Sequence, residues 1–381
     1  MPRVDRDDWV RAGLYEPAAV GSDDRRALLE FLTERGATLD QLIEAHRLGR
    51  LPAVAGELVL GGQAATMSVR ELAAACGLPV ERVQRILLAL GLSVTADDTL
   101  RDGWVGMVGA FEQGAALMGD DALMAFSRVL GAAATSIAEA AVALFYAELG
   151  PGTEREGSDE LHRAQLSERA ALAFSAVPEV LSGVLMAQFD RTSRRAALVR
   201  GWTTSSGDQG EDSAGETIAL GFVDLVGSTS WAQGLSLRDH SLALSRFESA
   251  AWSHAVTAGG RVVKLIGDEV FFAAPTVDTA VRIGSGICAA VAADALLPPA
   301  RGAVGYGFAT SREGDYFGSV VNLVSRLTKS ARPGTLIVTE EAVGLLSTDD
   351  WELRELPPQH IRGFATPVRV FDVVAVGRQD P

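Results

Sequence analysis

The chain has 381 residues, 48% of them apolar, and a formal charge of −15 at pH 7. That length favours two domains over one, with apolar residues enough for a sizeable core. The acidic balance argues against a nucleic-acid partner, because phosphate contacts need clustered Lys and Arg.

The opening MPRVDRDDWV has no apolar core and is not read as a signal peptide. The longest uninterrupted apolar stretch, 140–147, is far short of the roughly 20 residues that span a bilayer. Cys76 and Cys288 lie far apart and read as free thiols in a reducing compartment. A cytoplasmic protein with no stable membrane span is therefore expected.

Residues 23–50 read as two helices, with Gly36 ending the first and Thr38 and Gln41 forming a capping box for the second. Residues 67–92 have helix-turn-helix spacing, with Ser68 as N-cap and Gly77 at the turn. Arg82 and Arg85 are the cations of the second helix, and such pairs are most often plain packing units. Residues 104–149 are rich in Ala, Gly, Met and Phe. Trp104, Met107, Phe111, Met118, Met124 and Phe126 are candidates to line an apolar cavity, against an ordinary core as the simpler reading. Residues 151–158 read as a loop, helices resume over 159–200, and the polar stretch 203–216 reads as a linker.

Residues 218–275 hold the densest signal. Ile218–Val223 is a short continuous apolar run, as in a buried strand. Asp224 stands at its end. Gly227, Ser228 and Thr229 follow, small residues suited to a helix's first turn, whose free N–H groups form a phosphate site. Val262–Ile266 and Glu269–Ala273 read as strands of a tight hairpin turning at Gly267 and Asp268. Carboxylates at such positions suit Mg²⁺, which takes one or two of them and keeps its other positions for water and phosphate. A helix cap and a turn residue are the plainer readings of Asp224 and Asp268. Helices over 238–258 and 276–295, a strand over 302–310, a largely helical 316–332 and strands at 336–339 and 368–374 complete the pattern. The order β-α-β-β-α-β is ferredoxin-like.

The segments FVDLVGST, KLIGDEVFF and GDYFGSVVNLVSRL, in this order and spacing, resemble the catalytic domain of the class III nucleotidyl cyclases. The resemblance covers about 216–376 and extends more diffusely over the N-terminal half. There it is similar to actinobacterial adenylyl cyclases that carry a helical regulatory domain ahead of the cyclase. It implies two domains: an all-α regulatory domain over 1–202, and an α+β ferredoxin-like catalytic domain over 217–376. The linker 203–216 joins them and the tail 377–381 follows.

The resemblance further implies cyclisation of ATP to 3′,5′-cyclic AMP and pyrophosphate. Asp224 and Asp268 would hold two divalent ions, Mg²⁺ or Mn²⁺, with the carbonyl of Leu225 as a further ligand. Lys264 and Asp315 would read the base. Lysine offers only donors and aspartate only acceptors, which matches N1 and N6 of adenine and mispairs guanine. Asn322 would orient the ribose, and Arg326, one helical turn on, would meet charge at the α-phosphate. Many family members place a lysine near the domain end at the terminal phosphates. Here Phe364 aligns with it and Arg362 is the substitute. The resemblance also implies a homodimer with shared sites. One chain would give the metal aspartates and Lys264, and the other Asn322, Arg326 and Asp315. The regulatory domain is expected to control the rate through pH, with His162 and His360 as candidate sensors, or through a fatty acid in the apolar cavity. The competing readings are a nucleotide-binding sensor, or a helix-turn-helix regulator without cyclase activity.

Overall fold

The computed structural model describes residues 4–61, 66–101, 103–149, 160–200, 215–347 and 349–376. The chain divides into two units, Met1–Ser206 and Gly207–Pro381. The expected loop 151–158, linker residues 203–214 and tail 377–381 lie outside the described residues. Gly215 and Glu216, expected to end the linker, instead begin a strand.

The first unit is helical. It runs α1 (Arg6–Arg11), α2 (Ser22–Glu34), α3 (Leu39–Arg47), α4 (Val54–Gly61), β1 (Thr66–Ser68), α5 (Val69–Cys76), α6 (Val80–Ala89), β2 (Thr99–Arg101), α7 (Trp104–Met118), α8 (Asp120–Leu149), α9 (Glu160–Phe174) and α10 (Val177–Arg200). Thr38 and Gln41 exchange cap hydrogen bonds at the start of α3, at 3.3 and 2.9 Å. Ser68 and Glu71 do the same for α5, and Gly77 ends that helix at φ 67°, a conformation glycine adopts without strain. One core gathers Trp9, Leu28, Leu29, Leu32 and Leu42, and a second gathers Leu72, Val83, Ile86, Leu87 and Phe111.

One expectation for this unit changes, and one is supported. Met107, Met118 and Phe126 are more than half exposed, so they do not wall an enclosed cavity with Phe111 and Met124, and the fatty-acid site loses its basis. Arg82 is engaged by Glu112 and Asp120, and Arg85 by Asp120, so both cations of α6 already face carboxylates of α7 and α8. Two helical stretches, Asp120–Leu144 and Glu160–Arg194, are long and apolar enough by length and composition to cross a membrane. Charged residues punctuate both, so neither holds an uninterrupted apolar run of that length.

The second unit is a sheet with helices on both faces. Its elements are β3 (Gly215–Leu225), α11 (Ser228–Ala232), α12 (Leu237–Thr257), β4 (Arg261–Ile266), β5 (Glu269–Ala274), α13 (Val277–Ala293), β6 (Ala300–Arg312), β7 (Asp315–Phe317), α14 (Ser319–Thr328), β8 (Leu336–Thr339), α15 (Glu340–Val343), β9 (Trp351–Glu355) and β10 (Val370–Ala375). The strand order is β4-β5-β3-β6-β8-β10-β9, with β7 paired to β6. The first four strands have the ferredoxin-like order, all antiparallel, and β8 extends the sheet parallel to β6.

Strand alternation sorts β3 between the two faces. Ala219, Val223 and Leu225 pack with Phe247 of α12 and Ile283 of α13. Ile218, Leu220 and Phe222 pack on the other face with Val320, Val324 and Leu327 of α14. Burying Phe271 and Phe272 fully, one on each face, contributes about 1.5–3 kcal/mol apiece. Helix α14 sits close because β6 is glycine-rich beneath it. A Cβ on Gly305 would lie 2.4 Å from Cγ2 of Val324. The expected helix over 316–332 is shorter than its apolar spacing suggests. Residues 315–317 pair with β6 as a strand, and α14 spans only Ser319–Thr328.

Candidate active site

Asp224 follows Ile218, Leu220 and Phe222 on the α14 face of β3 and is buried. Its register partners are Glu269 on β5 and Arg301 on β6. Three charged residues thus form a row across three adjacent strands near the end of β3. Arg301 donates from Nη2 and Nε to Asp224 Oδ2 at 3.0 and 3.3 Å. Its Nη1 donates to the carbonyl of Lys329, the residue that closes α14, at 2.9 Å. Asp224 does not cap a helix, since Gly227 holds the N-cap of α11.

Burial pushes the Asp224 carboxyl above its ordinary range. Arg301 opposes that shift, and Asp268 adds to it. Burial, then the charge of Asp224, likewise raises Glu269. Oε1 of Glu269 is buried without a hydrogen-bond partner among the described residues.

Asp268 sits in the β4–β5 turn after Gly267, whose φ of 64° suits glycine. The backbone ties this turn to the metal candidate, because Leu225 N donates to Asp268 O at 3.1 Å. Among the described residues no group of three or more His, Cys, Asp and Glu is gathered for a metal. The donors expected from the sequence, Asp224, Asp268 and the Leu225 carbonyl, would be two carboxylates and a backbone oxygen. All are hard ligands, in the small number that Mg²⁺ or Mn²⁺ accepts when water and phosphate complete the shell. The orphaned acid oxygen of Glu269 beside Asp224 and Asp268 is consistent with a site that attracts a cation.

Lys264 of β4 lies 5.8 Å above the ring of Phe271, on the α14 face, and its Nζ donates to Oδ2 of Asp315. Oδ1 of Asp315 accepts from the backbone N–H of Tyr316 at 2.8 Å. Donor and acceptor are thus assembled within one chain. This corrects the expected division of Lys264 and Asp315 between subunits. The β6–β7 hairpin brings Asp315 to Lys264 on strand β4, three strands away across the sheet.

Asn322 and Arg326 lie one turn apart on the exposed side of α14, opposite Val320, Val324 and Leu327. Arg326 donates to the carbonyl of Arg362, so the two arginines are brought together. Phe364 packs against the α14-side core and is unavailable to phosphate. Gly227 is left-handed at φ 68° and opens α11, and Ser228 and Thr229 begin that helix. The helix is only five residues long, a weaker anion site than a full-length helix would give.

Sequence reasoning missed Glu269 and Arg301. Each is a charged residue at the end of an apolar strand, the signal that singled out Asp224. Only the strand register reveals that all three share a row.

A family model described as adenylate cyclase regulatory domain matches residues 12–189. An uncharacterized protein of Mycobacterium tuberculosis is 31% identical over 372 residues, covering 97% of this chain and 94% of its own. A pH-sensitive adenylate cyclase of the same species is 30% identical over 376 residues, covering 92% of this chain and 88% of its own. Among solved structures, the adenylyl cyclase CyaB from P. aeruginosa is 24% identical over 42% of this chain and 94% of that one, with a TM-score of 0.38.

Proposed function

The chain belongs to the class III adenylate cyclases that carry an N-terminal regulatory domain, and from that membership we propose that it converts ATP to 3′,5′-cyclic AMP and pyrophosphate. The observation that carries this reading is a hard-ion carboxylate pair, Asp224 and Asp268, in the same unit as the Lys264–Asp315 pair. One set suits a triphosphate's metals and the other suits adenine.

Asp224, Asp268 and the carbonyl of Leu225 would hold two divalent ions, Mg²⁺ or Mn²⁺. Bound there, such ions activate the 3′-oxygen and neutralise charge on the leaving pyrophosphate. Lys264 donates to adenine N1 and Asp315 accepts from N6. Asn322 orients the ribose. Arg326, permanently charged and forked, stabilises charge at the α-phosphate. Arg362, with the turn at Gly227, Ser228 and Thr229, is assigned to the remaining phosphate oxygens.

Two copies of the chain would share each site. One copy supplies Asp224 and Asp268, and its partner supplies Lys264, Asp315, Asn322 and Arg326. The outward direction of Asn322 and Arg326 from α14 supports this division, because they face away from the row that holds Asp224. Control is assigned to the helical unit, with pH as the signal. The name of the pH-sensitive relative and its match over both units support that choice.

The test is cyclic AMP formation by the purified full chain with ATP and Mn²⁺. Asp224→Ala and Asp268→Ala should each abolish turnover while the protein stays folded. Normal Mn²⁺-dependent activity in either variant would sink the carboxylate assignment.

A further inference from the structure

The turn that carries Asp315 is strained and externally clamped. Strands β6 and β7 pair Arg312 with Asp315, leaving Glu313 and Gly314 as a two-residue turn. Their φ values are 54° and 82°. Both positions are left-handed, as in a type I′ hairpin, where Asn-Gly is the comfortable pair. Glu313 is the one non-glycine residue with positive φ among the described residues. A strained turn of this kind persists only where its surroundings over-determine it, and such turns cluster at functional sites.

Arg261, the first residue of β4, supplies the determination. Its Nη1 and Nη2 both donate to the carbonyl of Gly314, each at 3.2 Å. Its guanidinium also stands 5.0 Å from the centroid of the Tyr316 ring. Arg261 therefore grips the residue before Asp315 and the residue after it. Tyr316 is buried, and its hydroxyl donates to Glu216 at 2.8 Å, which anchors the far side of the grip to β3. Arg261 stands three residues before Lys264 on the same strand. One edge strand thus carries both the base-reading lysine and the clamp on its aspartate.

We propose that Arg261 is a positioning residue for base selection, holding Asp315 at a fixed setting against Lys264 so that the pair accepts adenine and refuses guanine. The inference rests on the reading of Lys264 and Asp315 as the base-recognition pair. Selection by hydrogen-bond pattern needs acceptor and donor held in place, because a carboxylate free to swing leaves neither base unsatisfied. Arg261 touches neither substrate nor metal in this account, so its loss acts through Asp315.

The experiment measures kcat and KM for ATP and for GTP with the full chain, Arg261→Met, Arg261→Lys and Asp315→Ala. Arg261→Met should lower the ATP-over-GTP ratio of kcat/KM about tenfold, the size of one well-made polar discrimination. The change should fall mainly in KM for ATP. Arg261→Lys can give the Gly314 carbonyl one donor but no fork, and its ratio should fall about threefold. A ratio within twofold of the parent in folded Arg261→Met overturns the proposal. If that variant melts at room temperature, an unchanged ratio in Arg261→Lys overturns it instead. Asp315→Ala separates the two levels. If it leaves the ratio unchanged, the base-pair reading itself fails. If it collapses the ratio while both Arg261 variants keep theirs, only the role of Arg261 fails.

Discussion

Arg301 binds Asp224 and the end of α14 with one guanidinium, at 3.0 Å to the Asp224 carboxylate and 2.9 Å to the Lys329 carbonyl. The first contact places a cation against a metal candidate. The second holds the helix that carries Asn322 and Arg326. Arg301→Met should therefore move two quantities in opposite directions. Removing a positive charge beside Asp224 should tighten Mn²⁺ binding about fivefold, read from the free Mn²⁺ signal in electron paramagnetic resonance. Releasing α14 should lower kcat about tenfold. The variant should also melt lower than the parent without metal, since Asp224 is then buried and unpaired, and recover with Mn²⁺. Weaker Mn²⁺ binding together with parental kcat would refute both contacts.

The seat of α14 gives an independent test. Gly305→Ala would put its Cβ 2.4 Å from Val324 Cγ2, so the helix must lift. A cost of about 1–3 kcal/mol in urea unfolding is expected, with a fall in kcat as Asn322 and Arg326 move. Adding Val324→Ala should restore part of both losses. A double variant no better than Gly305→Ala alone would mean the helix is not seated through this contact.

What the sequence made legible follows from which signals are local. Asp224 stands out because it ends an apolar run, and Asp268 because it follows Gly267 in a hairpin turn between two apolar runs. Asn322 and Arg326 are marked by the family resemblance of GDYFGSVVNLVSRL, their spacing of four then placing them on one helix face. The capping box at Thr38 and the N-cap at Ser68 were readable for the same reason, since all the bonding partners lie within three residues. Arg301 and Glu269 were hidden because their meaning lies in cross-strand register, which joins residues 77 and 45 positions from Asp224. The meeting of Lys264 with Asp315 in one chain was hidden likewise, because it depends on a hairpin crossing the sheet. The short strand at 315–317 was absorbed into a helix because Tyr316 continues the apolar spacing of α14, while its pairing partner lies on β6.

The two thiols should separate cleanly with pH. Burial pushes the Cys288 thiol up to about 12. Burial, and then the charge of Glu112, also raises Cys76. The thiolate is the reactive form, and about one in ten thousand Cys288 side chains carries it at pH 8. Ellman's reagent should therefore react with Cys76 alone in the native protein, and with Cys288 only after unfolding. The Cys288 value is raised above that of the unfolded chain. Its contribution to stability is intact below about pH 8.5 and declines as pH climbs toward the folded value. Cys288→Ala should be the less stable protein at pH 7, and the gap should narrow at pH 10. A gap that widens with pH would contradict the burial of this thiol.

Control by the helical unit predicts a difference between the full chain and residues 210–381. His162 lies in a recess of the first unit beside Arg35 and Glu168. His360 lies next to Arg362's loop in the second. Activity profiles of the two proteins from pH 5.5 to 8 should differ in shape or height, the range in which histidine titrates. Superimposable profiles would remove the regulatory role. Profiles that differ, yet are unmoved by His162→Ala and His360→Ala in the full chain, would keep the role and remove the histidines.

The central claim is a cyclase site completed by two copies of the chain, and mixing two dead variants tests it most directly. Asp224→Ala keeps an intact Asn322–Arg326 half, and Arg326→Ala keeps an intact metal half. Each should be inactive alone. In an equal mixture that exchanges subunits, half the dimers pair one variant with the other and regain one good site of two. The account predicts recovery of cyclic AMP formation to about a quarter of the parental rate. No recovery in a mixture whose subunits demonstrably exchange would contradict it.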